Sequence, residues 1–117
     1  MKEVIQLAID SHLAWTLAFR QAIDQERVPR EFSSCGYDDA CSFGKWLYSL
    51  DDDIKHRPAY RRVKDLHYRF HVEAGEILRS MRAADFGDAR FRLGQDYKAA
   101  SEQLLKALHD WKTAEGG

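Results

Sequence analysis

The sequence lacks several features that would place it in a specialised class of protein. Its 117 residues include only two cysteines, two prolines and seven glycines, and no apolar run approaches the length of a membrane span. The net charge of −1 gives no reason to expect nucleic acid or an anionic membrane as a partner. Few prolines and glycines favour an all-α fold, and 44% hydrophobic with 32% charged residues is typical of a globular chain. We therefore expect one domain over residues 1–117.

The N-terminus shows no signal peptide, because Lys2 and Glu3 lead directly into amphipathic sequence. The expected location is therefore the cytoplasm. Cys35 and Cys41 would be reduced there, which favours a metal or redox role over a structural disulfide.

Apolar residues recur at three- and four-residue steps in three long segments. They predict helices over residues 1–25, over residues 58–84, and from an N-cap at Asp85 towards the C-terminus. Residues 26–39 have loop composition, and Asp38 and Asp39 are expected to cap a short helix over residues 40–50. The aspartate run at 51–53 is interpreted as a solvated turn. Three long helices and one short helix carrying Cys41 predict an antiparallel four-helix bundle.

Two histidines share one face of the predicted third helix. His67 and His71 are four residues apart, the spacing with which a helix offers two imidazoles to one metal ion. Phe70 and Ala74 lie within the same stripe, so both rings are expected to point inwards, where unpaired polar groups are costly. An isolated pair of this kind is more often a pair of hydrogen-bonded core or surface histidines, so the spacing alone does not establish a metal site.

Two further candidate ligands come from other helices. His12 lies within the apolar stripe of the first helix, where a lone histidine is usually a core residue. Cys41 is placed in the first turn of the short helix, where free N–H groups and the helix dipole favour a thiolate. Three imidazoles and one thiolate suit tetrahedral Zn²⁺ best, whereas Ca²⁺ and Mg²⁺ prefer oxygen ligands. Copper(I) and iron(II) are weaker candidates for this mixed set.

The residues around these candidates resemble the chemoreceptor zinc-binding (CZB) domain family in order, type and spacing. The matching motif is His12-x-x-Trp15, then Cys41-x-Phe43-Gly44-x-Trp46, then His67-x-x-x-His71. The resemblance spans residues 12–71, and beyond them only the helical periodicity agrees. It implies a usually homodimeric, cytoplasmic zinc-binding bundle with these three histidines and the cysteine as ligands of one Zn²⁺ per chain. Such domains are typically attached to chemoreceptors or diguanylate cyclases and respond to zinc or to oxidants such as hypochlorous acid.

The leading hypothesis is therefore a regulatory sensor of bacterial signalling, in chemotaxis or through cyclic di-GMP, and not an enzyme. Four protein ligands leave no open position for an activated water. Cys41 would be the redox switch, since oxidation to a sulfenic acid weakens its bond to zinc. Trp15, Phe43, Gly44 and Trp46 are expected to pack around the site. Because neither a receptor signalling hairpin nor a cyclase domain is recognised in the chain, the output would pass through a signalling partner or a dimer.

Two other functions remain open. The zinc could be purely structural and stabilise a dimerisation or interaction module. A di-iron bundle of the hemerythrin or ferritin kind needs interior carboxylates, often in Glu-x-x-His pairs, and Glu73 and Glu76 do not form such a pair with the histidines.

Two details of the sensor hypothesis depend on residues outside the motif. Cys35 could resolve an oxidised Cys41 as a disulfide, although an incidental loop thiol is the favoured interpretation. Leu13 and Leu17 lie outside the inner stripe of the first helix, where a second subunit could cover them.

Overall fold

The computed structural model describes residues 1–116, and its regular structure in that range is entirely helical. The elements in chain order are α1 (Lys2–Asp24), the 3₁₀-helix η1 (Arg30–Ser34), α2 (Ser42–Ser49), α3 (Asp52–Lys55), α4 (Pro58–Arg82), α5 (Phe86–Gly94) and α6 (Asp96–Gly116). The helices pack against one another as a bundle, which confirms the predicted all-α fold class.

The core lies between α1, α4 and the α5–α6 segment. Both α5 and α6 pack against α4 on one side and α1 on the other. The remaining side of the bundle is closed by η1 and α2. Phe32 of η1 packs on Trp15 and Phe19 of α1, with ring centroids 5.3 and 4.9 Å apart. Phe43 of α2 contacts His12 of α1 and His67 of α4, so α2 lies over the gap between these two helices.

The predicted last helix is interrupted once. Its N-cap is confirmed, since the Asp85 carboxylate accepts a hydrogen bond from the Asp88 N–H at 3.0 Å. However, α5 ends at Gly94, and Gln95 has φ −120° and ψ −100° before α6 begins. The apolar stripe continues across this break, which is why periodicity predicted one helix. The aspartate run also differs from the prediction, because Asp52 and Asp53 open the one-turn helix α3 with their side chains exposed.

The short helix begins two residues later than predicted. Cys41 has an extended backbone (φ −87°, ψ 156°) and is the N-cap of α2, where its Sγ accepts a hydrogen bond from the Gly44 N–H at 3.3 Å. Asp38 and Asp39 lie in the preceding turn and do not cap the helix. The prediction was wrong here because aspartate is the more common N-cap residue, whereas the packing of α2 places cysteine there.

Among residues 1–116, no helix is both long and apolar enough to cross a membrane.

Candidate metal centre

Three helices bring the four predicted ligands to one point. His12 comes from the middle of α1, Cys41 from the N-cap of α2, and His67 and His71 from successive turns of α4. One potential ligand atom from each residue lies within 4.8 Å of the others. The three imidazoles are buried and Cys41 is partly exposed. In the part of the chain that the structure describes, this is the one such group of histidine, cysteine or acidic residues, and it contains no carboxylate.

Backbone carbonyls orient two of the imidazoles. The Ala8 carbonyl accepts a hydrogen bond from His12 Nδ1 at 2.6 Å, and the Cys35 carbonyl accepts one from His71 Nδ1 at 2.7 Å. Because a carbonyl can only accept, Nδ1 carries the proton in both rings and the free lone pair is on Nε2. Metal-binding histidines use this arrangement, in which the other ring nitrogen donates to a carbonyl or carboxylate. Both rings are therefore prepared to offer Nε2 to a cation.

The distances within the cluster fit a tetrahedral zinc site. His67 Nε2 lies 3.1 Å from His71 Nε2 and 3.3 Å from Cys41 Sγ. Zn–N bonds of about 2.0–2.1 Å and a Zn–S bond of about 2.3 Å place tetrahedral ligand atoms about 3.3–3.6 Å apart. These two separations differ from the tetrahedral values by only a few tenths of an ångström, and the remaining ligand atoms lie within 4.8 Å of one another. The donor set of nitrogen and sulfur without oxygen also suits zinc and not Ca²⁺ or Mg²⁺.

His67 is not a satisfied core histidine. Its side chain is fully buried, and its Nδ1 has no hydrogen-bond partner within residues 1–116. Its Nε2 faces only the imidazole of His71 and the thiol of Cys41. Burying a polar ring without compensating hydrogen bonds is costly, so packing alone does not account for this histidine. A cation bound at Nε2 would compensate for the burial of the ring on the side that faces Cys41 and His71, whereas Nδ1 would still have no partner within residues 1–116.

The comparison with known protein families agrees with this geometry. The family model of the chemoreceptor zinc-binding domain matches the sequence over residues 12–78, which is more than half of the chain. The chain belongs to the CZB family. The match begins at His12 and includes all four clustered residues, so the resemblance noted in the sequence is confirmed and the chain is a zinc-binding, regulatory domain by family. No curated protein and no solved structure matches the chain significantly.

The electrostatics of the CZB site favour neutral imidazoles. Burial lowers the pKa of His12 to about 4 and that of His67 to about 2, and burial also lowers the pKa of His71. Each ring is therefore in the metal-binding form at neutral pH. Burial raises the pKa of the Cys41 thiol, and the hydrogen bonds from the Gly44 and Phe43 N–H groups oppose this shift without cancelling it. The expectation that the helix terminus favours a thiolate is thus wrong for the metal-free chain, and zinc must displace a proton from Cys41.

These pKa values predict that metal-free protein loses stability in acid. Below the unfolded pKa of 6.5, the unfolded chain binds protons at His12 and His67 that the folded chain does not bind until about pH 4 and about pH 2. Stability therefore falls as the pH decreases, by about 1.4 kcal/mol per pH unit for each fully protonating histidine. Urea unfolding in a chelator between about pH 7.5 and pH 5 measures this slope.

A His109→Gln variant is the matched control for this experiment, because it removes an exposed imidazole outside the cluster. Equal unfolding free energies at both ends of the pH range would contradict the buried, neutral state of the cluster.

Three of the four predicted packing residues lie against the site or against its immediate neighbours. The Phe43 ring meets His12 and His67 edge-on, with centroids 6.1 and 5.2 Å away, and Trp46 stacks on Phe43 at 5.6 Å. A Cβ on Gly44 would lie 1.6 Å from the Asp38 carbonyl oxygen and 3.3 Å from His67 Cε1. Gly44 therefore admits the carbonyl of the preceding turn and the His67 ring of α4.

Trp15, the fourth predicted packing residue, packs against aromatic rings of α1 and η1. Its ring contacts Phe19 and Phe32 at centroid distances of 5.6 and 5.3 Å. The ring that packs on His12 from α4 is instead Phe70, at 4.8 Å. Sequence spacing placed Phe70 on the inner stripe of its helix but could not specify which ligand it meets.

Cys35 is a loop thiol that is buried. Its side chain is 4% exposed, and the Sγ–H donates to the Ala74 carbonyl at 3.6 Å. Burial raises its pKa to about 11. The residue thus contacts α4 twice, through this thiol and through the carbonyl that holds His71.

Proposed function

We propose that this CZB chain is a regulatory sensor that binds one Zn²⁺ through His12, Cys41, His67 and His71. The convergence of four nitrogen and sulfur donors from three helices carries the proposal. Four protein ligands complete a tetrahedral sphere and leave no position for an activated water, which supports regulation over hydrolysis. Through these residues, a bound ion would link α1, α2 and α4.

Cys41 is the ligand best placed to respond to oxidants. It is partly exposed, whereas the three histidines are buried. Hypochlorous acid would transfer oxygen to the thiolate, which forms a sulfenic acid and releases chloride. A sulfenic acid is a poorer zinc ligand than a thiolate, so the ion would be held less tightly. Loss of the link between the three helices is the change that a partner would sense.

A homodimer in the cytoplasm is the proposed form of the sensor. Leu13 and Leu17 are 48% and 56% exposed, and they line a groove with Leu93 of α5 and Leu105 of α6. Exposed apolar side chains grouped in this way support a contact with a second copy. The output would then pass through the dimer to a chemotaxis or cyclic di-GMP signalling partner.

The sensor proposal predicts that oxidation of Cys41 releases zinc. Treating the zinc-loaded protein with stoichiometric hypochlorous acid should liberate about one ion for each Cys41 oxidised, because the thiolate is one of only four ligands. A colorimetric zinc chelator follows release, and peptide mass mapping distinguishes oxidation at Cys41 from oxidation at buried Cys35. Retention of zinc by protein whose Cys41 is oxidised would contradict the proposal.

A purely structural zinc is the second candidate, favoured by the burial of the three histidines. Under that function the ion would exchange very slowly with a chelator, and the dimer would be the same before and after metal removal. Sedimentation of the zinc-loaded and metal-free protein separates the two functions, since a sensor should change its association state or shape.

A further inference from the structure

The segment Cys35–Gly36 is attached to one face of α4 by three contacts. The Cys35 carbonyl accepts from His71 Nδ1 at 2.7 Å, and the Cys35 thiol donates to the Ala74 carbonyl at 3.6 Å. A Cβ on either Gly36 or Gly75 would lie only 3.1 Å from the Cα of the other glycine. Positions 71, 74 and 75 share a face of the helix, so the three contacts form one docking site.

The two glycines are explained by this close approach and not by backbone conformation. Neither Gly36 nor Gly75 has a positive φ, so neither position requires the left-handed region. Gly75 also lies in the interior of α4, where glycine is a poor helix former. A Cβ at either position would force the loop and the helix apart by a few tenths of an ångström, because the opposing atom is backbone and cannot rotate aside.

The docked loop supplies the hydrogen-bond acceptor of His71, whereas the acceptor of His12 does not come from this loop. His12 donates to Ala8, a carbonyl of its own helix, so α1 alone orients that ring. The acceptor for His71 is 36 residues away in the chain and is in place only while the loop lies on α4. The orientation of the His71 ring therefore depends on contacts outside the four candidate ligands.

We propose that Gly36 and Gly75 are positioning residues for the zinc site, and that their contact holds the Cys35 carbonyl on His71 so that its Nε2 faces the metal. The inference rests on the proposed ligation of zinc by His71. It also assigns a role to Cys35, whose buried thiol fastens the same segment to α4. Acceptors of this kind fix the tautomer and orientation of a ligand, and their loss typically weakens metal binding about 10- to 100-fold.

Gly75→Ala is the test variant, with Gly94→Ala as the matched control because a Cβ at Gly94 meets nothing within 4 Å. The first readout is exchange of the imidazole Nδ1–H protons with solvent, followed by NMR in ¹⁵N-labelled protein. In Gly75→Ala, exchange at His71 should accelerate at least about tenfold while exchange at His12 stays unchanged. The second readout is zinc affinity, which should fall about 10- to 100-fold in Gly75→Ala and stay within about twofold in Gly94→Ala.

Unchanged exchange at His71 with wild-type zinc affinity would overturn the proposal, and so would equal acceleration at both histidines, which indicates general loosening. Should Gly75→Ala not fold, Cys35→Ala applies the same test, since it removes the thiol contact without adding bulk. Its failure to accelerate exchange at His71 selectively would also overturn the proposal. The exchange readout works in metal-free protein. A wild type that binds no zinc would disprove the proposed function, whereas exchange at His71 would still show whether the two glycines hold the Cys35 carbonyl on that ring.

Discussion

Saturating the metal-free protein with Zn²⁺ is expected to raise its free energy of unfolding by about 4 kcal/mol when free zinc is about 1,000 times the dissociation constant. The physical reason is that His12, Cys41, His67 and His71 meet only in the folded chain, where their ligand atoms lie within 4.8 Å of one another. For a chain of this size, the gain corresponds to an increase of about 15 °C in the unfolding temperature. Calorimetry of metal-free protein with and without zinc measures it.

Three variants and a second metal ion make the result specific to the site. Cys41→Ala and His71→Ala should lose most of the stabilisation, because each removes one ligand. His109→Gln removes an exposed imidazole and should keep all of it. Mg²⁺ should stabilise none of the proteins through this cluster, since the cluster contains no carboxylate. Equal stabilisation of the wild type and both ligand variants would show that zinc binds elsewhere.

Gly44→Ala is expected to be among the most destabilising single substitutions in the chain. The added Cβ would lie 1.6 Å from the Asp38 carbonyl oxygen, so either the loop or α2 must move by more than an ångström. We expect the free energy of unfolding to fall by about 4 kcal/mol or more, which exceeds the gain of about 1 kcal/mol from the higher helix propensity of alanine. Because Cys41 caps the same helix, zinc binding should weaken as well. Urea unfolding and zinc titration measure the two effects.

Gly87→Ala is the matched control for Gly44→Ala. Gly87 is also a helical glycine, but a Cβ there would meet only the Asp85 side chain at 3.8 Å, an ordinary contact. Its unfolding free energy should remain within about 1 kcal/mol of the wild type. If Gly44→Ala changed the unfolding free energy as little as Gly87→Ala, the close contact between the Asp38 carbonyl and α2 would be wrong.

Local signals identified the four clustered residues as candidates, and their agreement with the CZB motif indicated that they form one ligand set. The four-residue spacing of His67 and His71 places both rings on one helix face, and the apolar stripe around His12 points it inwards. The break at Gln95 was not predictable in the same way, since the stripe of apolar residues continues through it. Periodicity thus specifies which side of a helix is buried more reliably than where the helix is interrupted.

The environment of the ligands could not be predicted from the sequence and is known only from the structure. The acceptors for His12 and His71 are backbone carbonyls, which have no residue-specific signature, and one of them is distant in the chain. The protonation of Cys41 depends on a balance between burial and local N–H donors, and only tertiary packing determines the degree of burial. Cys35 could be identified as a thiol but not as a contact of α4, because nothing in its neighbours predicts that the loop docks there.

The most direct test of zinc ligation is the metal content of tag-free protein by mass spectrometry, for the wild type beside Cys41→Ala and His71→Ala. We expect one zinc per wild-type chain, lost or greatly reduced in both variants, because the four clustered donors would share a single ion. Absence of zinc from the wild type, or a zinc content that neither substitution changes, would contradict ligation of zinc by these four residues.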